Sequence, residues 1–253
     1  MKIKERIIGR FYSICFIGIL LIAWQFVANR EIINTFNFSS PIEIIKDLIE
    51  LFKSGEIWPH IRISFGVSLL GLLYGTIIGI FFAFLFYNFG ILSKILDPIM
   101  VGFNGLPKLA MGPVFVVWFG IGLKAKIVMS TITVFFPVFF NAYAGFNSTD
   151  VNLIDTLRVM GSSKFQIIKK IMLPSCIPWI TASLRGGAGA AVTGTIVGEY
   201  LGATRGLGWM VQSAGGVYNI TRVFSCLVIL LVLMAFIDST LKQGERYLLR
   251  WRQ

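Results

Sequence analysis

Charge is scarce in this chain: Asp, Glu, Lys and Arg make up 14% of its 253 residues, where a typical soluble domain carries about 25%. Histidine occurs once, at His60, and cysteine three times, at Cys15, Cys176 and Cys226. No Cys-x-x-Cys pair exists, and one histidine does not complete a metal site with three scattered thiols. No metal is expected, and the cysteines read as buried free thiols. The same shortage excludes a Ser–His–Asp arrangement. The pattern of Gly, four residues, then Gly-Lys-Ser/Thr is also missing, so the chain has no phosphate-cradling loop with which to hold ATP. No catalytic residue is assigned, the chain is not expected to be an enzyme, and no cofactor is expected to bind it.

What is abundant is apolar: 56% of the residues are hydrophobic, and they come in long blocks that a globular core does not need. A membrane-spanning helix takes about 20 mostly apolar residues. Six stretches qualify, at about 11–28, 64–87, 101–121, 127–146, 177–197 and 223–241. The expected fold is therefore all-α, a polytopic membrane protein of six helices forming one domain over 1–253. In the second stretch Gly66, Gly71, Gly75 and Gly79 are spaced for close helix packing, and Gly186, Gly187, Gly189 and Gly194 suggest the same for the fifth. Pro107, Lys108 and Pro113 predict that the third is kinked or broken, and Pro137 lies inside the fourth. The basic start and apolar run at 14–27 lack a small-residue cleavage site, so they read as a retained helix.

The net charge of +11 does not mark a nucleic-acid protein, because the basic residues sit in the gaps between apolar blocks. Such residues set orientation and meet anionic lipid. With the N-terminus inside, the inner segments hold Lys2, Lys4, Arg6, Arg10, Lys94, Arg158, Lys164, Lys169, Lys170, Lys242, Arg246, Arg250 and Arg252. The outer segments hold Arg30, Lys46, Lys53, Arg62, Lys124, Lys126, Arg205 and Arg222, partly offset by Glu31, Glu43, Asp47, Glu50 and Glu56. The excess on the first side predicts a multi-pass protein of the cell membrane with both termini cytoplasmic. On the outer side, 41–53 begins with Ser40 as a cap and Pro41 at the first helical position. Ile44, Ile45, Leu48, Leu51 and Phe52 recur at helical spacing, so a short amphipathic helix on the outer membrane surface is expected.

The stretch 149–174, between the fourth and fifth blocks, reads as a cytoplasmic helix–turn–helix. Thr149 is the expected cap, with Asp150 in the first turn. Gly161 permits a sharp turn, and Ser163 with Gln166 has capping-box spacing. The second helix is expected to end at Leu173, before Pro174. Phe165, Ile167, Ile168, Ile171 and Met172 make it apolar over much of its surface, interleaved with Lys164, Lys169 and Lys170. Those groups need a docking partner: the inner helix ends of the chain itself, or another protein.

Here the sequence resembles the permeases of ATP-binding-cassette (ABC) importers. Their cytoplasmic motif reads Glu-Ala-Ala, three residues, Gly, nine residues, then Ile-x-Leu-Pro. This chain has Asp155-Thr156-Leu157, three residues, Gly161, nine residues, then Ile171-Met172-Leu173-Pro174. The spacing is complete, while Thr156 and Leu157 replace the two small residues. The blocks Leu96-Asp97-Pro98, Leu106-Pro107-Lys108, Gly112-Pro113, Trp118-Phe119-Gly120-Ile121-Gly122, Gly198-Glu199 and Arg205-Gly206-Leu207-Gly208 look like the nitrate/sulfonate/taurine subfamily. The resemblance implies a homodimer whose cytoplasmic hairpins dock into an ATPase subunit pair that uses ATP and Mg. It also implies an external binding protein that delivers the solute. The coupling residues would be Asp155, Gly161, Phe165, Ile171, Leu173 and Pro174, with Phe165 the aromatic anchor. The solute would be a small anion such as nitrate, a sulfonate or taurine. The alternatives are a vitamin-precursor importer, or a secondary transporter driven by an ion gradient.

Three intramembrane charges remain. Glu199 at the outer end of the fifth helix and Asp238 near the inner end of the sixth are expected where water reaches them, in structural or gating roles. Arg185 sits in a small, apolar helix and either faces inward or snorkels to the cytoplasmic side. Arg185 and Glu199 are the candidates for the pathway or gate.

Overall fold

Every element of the computed structural model, which describes residues 2–30, 35–202 and 204–248, is helical. Of the charges placed above, Glu31, Arg250 and Arg252 lie outside the described residues. The order is α1 (Lys2–Asn29), α2 (Thr35–Phe38), α3 (Pro41–Ser54), α4 (Ile57–Asn88), α5 (Gly90–Gly105), α6 (Lys108–Phe119), α7 (Leu123–Asn147), α8 (Val151–Val159) and α9 (Lys164–Ile167). A π-helical segment (Ile168–Met172) then leads into α10 (Leu173–Gly202), followed by α11 (Leu207–Gly216) and α12 (Ile220–Leu248).

Among the described residues, four stretches are long and apolar enough to cross a membrane: Ile57–Asn88, Leu123–Asn147, Lys164–Gly202 and Ile220–Tyr247. At 32 residues, α4 runs about 48 Å, well beyond the roughly 30 Å of hydrocarbon. The third expected span is two helices, Ser93–Gly105 and Lys108–Phe119, bent by 97°. Counted as one they make a fifth crossing, and Cys15–Asn29 is a shorter apolar helix. The break falls at Leu106, extended at ψ 136° because it precedes Pro107. Pro113, expected to share in it, lies inside α6, as Pro98, Pro137 and Pro178 lie inside α5, α7 and α10. Proline does not break these helices, since neighbouring helices and polar side chains tie up freed backbone groups within a membrane.

The chain divides into two compact units, Met1–His60 with Met210–Ile229, and Ile61–Trp209 with Leu230–Gln253. In the second unit α4 and α10 both press on α7. A Cβ on Gly75 would stand 2.7 Å from that of Val134, and one on Gly194 would stand 2.7 Å from the Cα of Ser130. These close approaches are what the glycine spacing predicts. Gly66 and Gly186 differ, facing open space. Where the backbones meet, Ser130 Oγ donates to the Ala191 carbonyl at 2.9 Å and Ser68 Oγ to Thr195 Oγ1 at 3.0 Å.

In the first unit α3 is capped as expected, with the Glu43 amide donating to Ser40 Oγ and Gly55 closing the far end at φ +77°. Its apolar face is only partly covered: Ile44 and Leu51 are buried while Ile45 and Phe52 are exposed. Arg222 of α12 holds the helix by donating to both Asp47 oxygens, at 2.9 and 3.1 Å.

Candidate functional site

The hairpin between α7 and α10 is built by three local devices. Asp150 caps α8, accepting from the Asn152 amide at 2.9 Å. The sequence pointed to Thr149 instead, whose hydroxyl is buried one residue early. Gly161 takes φ +77°, and nothing lies within 4 Å of where a Cβ would stand, so the turn needs glycine for its backbone conformation and not for space. The amides of Gly161 and Ser162 then return to the carbonyls of Arg158 and Leu157. Ser163 and Gln166 form the full capping box.

The hairpin does not close at Leu173. Lys164–Gly202 is one continuous helical run, and Pro174 sits inside it. Pro174 has no amide for the Lys170 carbonyl, and its ring would crowd that group in a regular helix. The π-helical turn just before it relieves the conflict, with the Leu173 amide reaching back five residues to the Ile168 carbonyl. The hairpin's second helix is thus continuous with a membrane helix.

Two faces result. Ile154, Ile167 and Met172 are buried with Ala83, Phe86, Phe139, Ala142, Phe146 and Cys176 in one apolar cluster, so the hairpin docks on the helix ends of its own chain. Aromatic contacts stiffen that cluster, among them Phe86 edge-on to Phe139 with centroids 5.0 Å apart. The other face is open: Val159 is 89% exposed, Met160 74% and Phe165 71%. Asp155 is exposed too, paired with Arg158 at 3.0 Å. With Asn152, Thr156, Val159 and Met160 it lines an open concavity of about 410 Å³. Of the expected coupling residues, Asp155, Gly161 and Phe165 lie on this open side. Ile171 and Pro174 are half-buried, and Leu173 is exposed further along the run. Val159 and Met160 are not among the expected coupling residues; two large apolar residues just before a turn glycine are the signal that marks them.

Glu199 is not reached by water. It has no exposure, because the connection from α10 to α11 folds over it. Ser64 Oγ donates to its two oxygens at 2.8 and 2.9 Å, and the Gly208 amide to one at 2.8 Å. Ser64 accepts in turn from the Leu207 amide. Lys126, expected in an outer segment, is instead buried in α7 and donates to the Arg205 carbonyl at 2.9 Å. Gly206 sits at φ +132°, where a Cβ would strike the Glu199 carboxylate. This is a closed knot tying α4, α7 and α10 to one loop. Arg185 lies 3.8 Å from Asp238 and 3.5 Å from Glu245, both on α12. The three are partly exposed, so the bond is a loose clasp between helices. Among the described residues no group of acids, cysteines and histidine is placed to hold a metal.

The arrangement of apolar crossings, a bent helix pair and an apolar-tipped hairpin matches known proteins. The family model for the binding-protein-dependent transport system inner membrane component matches residues 75–246. The chain belongs to that family. The permease is 30% identical over 235 residues to SsuC of Bacillus subtilis, a protein assigned to aliphatic sulfonate transport, covering 93% of this chain and 85% of that one. The taurine transport system permease protein TauC of Escherichia coli is 30% identical over 244 residues, covering 94% and 89%. The formylaminopyrimidine transport permease protein ThiX of Halalkalibacterium halodurans is 29% identical over 238 residues, covering 94% of each. Two inward-facing crystal forms of the methionine ABC transporter MetNI share the fold. One has TM-score 0.68 at 23% identity, covering 77% of this chain and 98% of that one. The other has TM-score 0.61 at 25% identity, covering 76% and 94%. The permease is the membrane subunit of an ABC importer, a transport subunit whose ATPase is a separate chain. It is a multi-pass inner-membrane component, working with an ATPase and a binding protein.

Proposed function

We propose that this permease passes a small organic anion, a sulfonate such as taurine, delivered by an external binding protein. Two copies would form the pathway, with both termini and the hairpin 149–174 on the cytoplasmic side. Each hairpin would dock on one subunit of an ATPase pair, and that pair would bind the ATP and Mg. The likeness to SsuC and TauC supports the solute class. Nitrate fits the same subfamily reading. A vitamin precursor is the second reading, favoured by the likeness to ThiX and to the riboflavin permease RibX of Chloroflexus aurantiacus.

The observation that carries the coupling role is the open tip of the hairpin. Val159, Met160 and Phe165 stand exposed around the Gly161 turn, on a segment already anchored on its other face. Large apolar groups on a rigid support are the usual anchors of a protein interface. The concavity beside Asp155 and Thr156 gives a partner side chain a seat. Asp155, Gly161 and Phe165 would form the contact, with Ile171, Leu173 and Pro174 carrying its motion into α10. The test is co-purification of the ATPase per molecule of permease. Losing one anchor of about 2 kcal/mol weakens binding roughly thirtyfold, so Phe165→Ala and Met160→Ala should each lower the recovered ATPase while permease abundance holds. Unchanged recovery in both would refute the docking role.

A further inference from the structure

Helix α3 carries a second apolar stripe that its docking leaves uncovered. Ile42, Ile45, Ile49 and Phe52 are 48%, 55%, 49% and 43% exposed. Trp58, just past the helix, is 48% exposed and stacks edge-on against Phe52 with centroids 5.6 Å apart. At about 100° per residue these four helix positions fill a sector of about 80°. Lys53 and Lys46 come next, within about 40° of the sector's edge, and Glu50 and Glu43 lie about 40–60° beyond them. The remaining side is the docked one, with Ile44 and Leu51 buried and Asp47 bound to Arg222. The helix is thus held along one side and graded around the rest from apolar to cationic to anionic.

We propose that this exposed stripe lies in the acyl–headgroup boundary of the bilayer, with Lys46 and Lys53 on lipid phosphates and Glu43 and Glu50 in water. Three observations select lipid. At 14 residues α3 is about 21 Å long, too short to cross the hydrocarbon, and both ends are capped, so it lies along a surface. The cations border the apolar sector and the acids do not, which is the order of depths from acyl chain to phosphate to water. The Phe52–Trp58 pair adds aromatic rings of the kind that settle at the membrane boundary. The assignment goes beyond amphipathicity in naming which face meets lipid, and it holds on whichever side of the membrane α3 lies.

The experiment uses the full-length protein in nanodiscs of mixed zwitterionic and anionic phospholipid. Cys15, Cys176 and Cys226 are replaced by alanine, and single spin labels are placed at Ile45, Ile49, Lys46 and Glu50. Collision with oxygen, which concentrates in lipid, is compared with collision with a water-soluble nickel chelate. The oxygen-to-nickel ratio should be highest at Ile45 and Ile49, intermediate at Lys46 and lowest at Glu50. A nickel-dominated ratio at Ile45 and Ile49 would put the stripe in water. Immobile labels shielded from both reagents would mean a protein cover, a second copy or another chain; either result overturns the assignment. Hydroxyl-radical footprinting of the unsubstituted permease gives a readout free of labels. Trp58 and Phe52 should be protected in nanodiscs, and oxidation as extensive as in lipid-free detergent-stripped protein rejects the proposal.

Discussion

At the scale of single residues, Glu199 shows what burial does to a charge. A carboxylate with no exposure persists only where donors replace its lost water. Here the Ser64 hydroxyl and the Gly208 amide do so, and Lys126 supplies a cation within electrostatic reach. Glu199→Ala strands those donors in a dry site, a loss of about 3 kcal/mol or more. Glu199→Gln keeps an acceptor for Ser64 and should lose less. Thermal unfolding of the purified permease in detergent measures both. The alanine variant should melt several degrees below the glutamine one, and equal midpoints for the two would mean the carboxylate does not organise the loop. Arg185 acts by a different rule. Its ion pairs with Asp238 and Glu245 are long and partly exposed, so they contribute little stability.

At the scale of elements, the hairpin turn depends on one backbone angle. Gly161 adopts φ +77° with open space around it, so side-chain size is not the obstacle. A β-branched residue resists that conformation by about 1–2 kcal/mol, while asparagine tolerates it. Gly161→Val should therefore loosen α8 and the turn, and Gly161→Asn should leave them close to intact. Hydrogen exchange separates the cases: amides of Val151–Val159 should exchange faster in the valine variant, with Leu123–Asn147 unchanged. Equal exchange in the two variants would show that the angle does not matter. The π-helical segment shows the same economy at a second point. One widened turn lets Pro174 remain inside a 39-residue run, so the hairpin is in register with the membrane helix it extends.

At the scale of the whole molecule, orientation follows from where Lys and Arg gather. In intact cells, an impermeant thiol reagent should label a cysteine at Lys124 and spare one at Lys164, both of which are exposed positions. The reverse pattern would invert the topology and remove the hairpin from the ATPase's side. Ala203, also expected on the outer side, lies outside the described residues.

Helical character and a membrane setting follow from the sequence alone, because apolar block length needs no tertiary information. So do the capping box, the Gly161 turn and the cap of α3, since each is a contact between residues a few positions apart. The 97° bend followed from Pro107, a local steric fact. Tertiary structure governs what depends on distant groups. Glu199 was legible as a charge near a helix end, but its burial comes from Ser64 and Gly208, brought to it across the fold. Pro174 was legible as a helix stop, yet docking of Ile167 and Met172 in the cluster around Phe139 holds the run together and a π turn absorbs the misfit. The five apolar residues of α3 looked like one face. Arg222, 175 residues from Asp47 in sequence, is what splits them into a docked side and an open one, because a period of 3.6 residues gives a helix its stripes and only a partner's position says which stripe is covered.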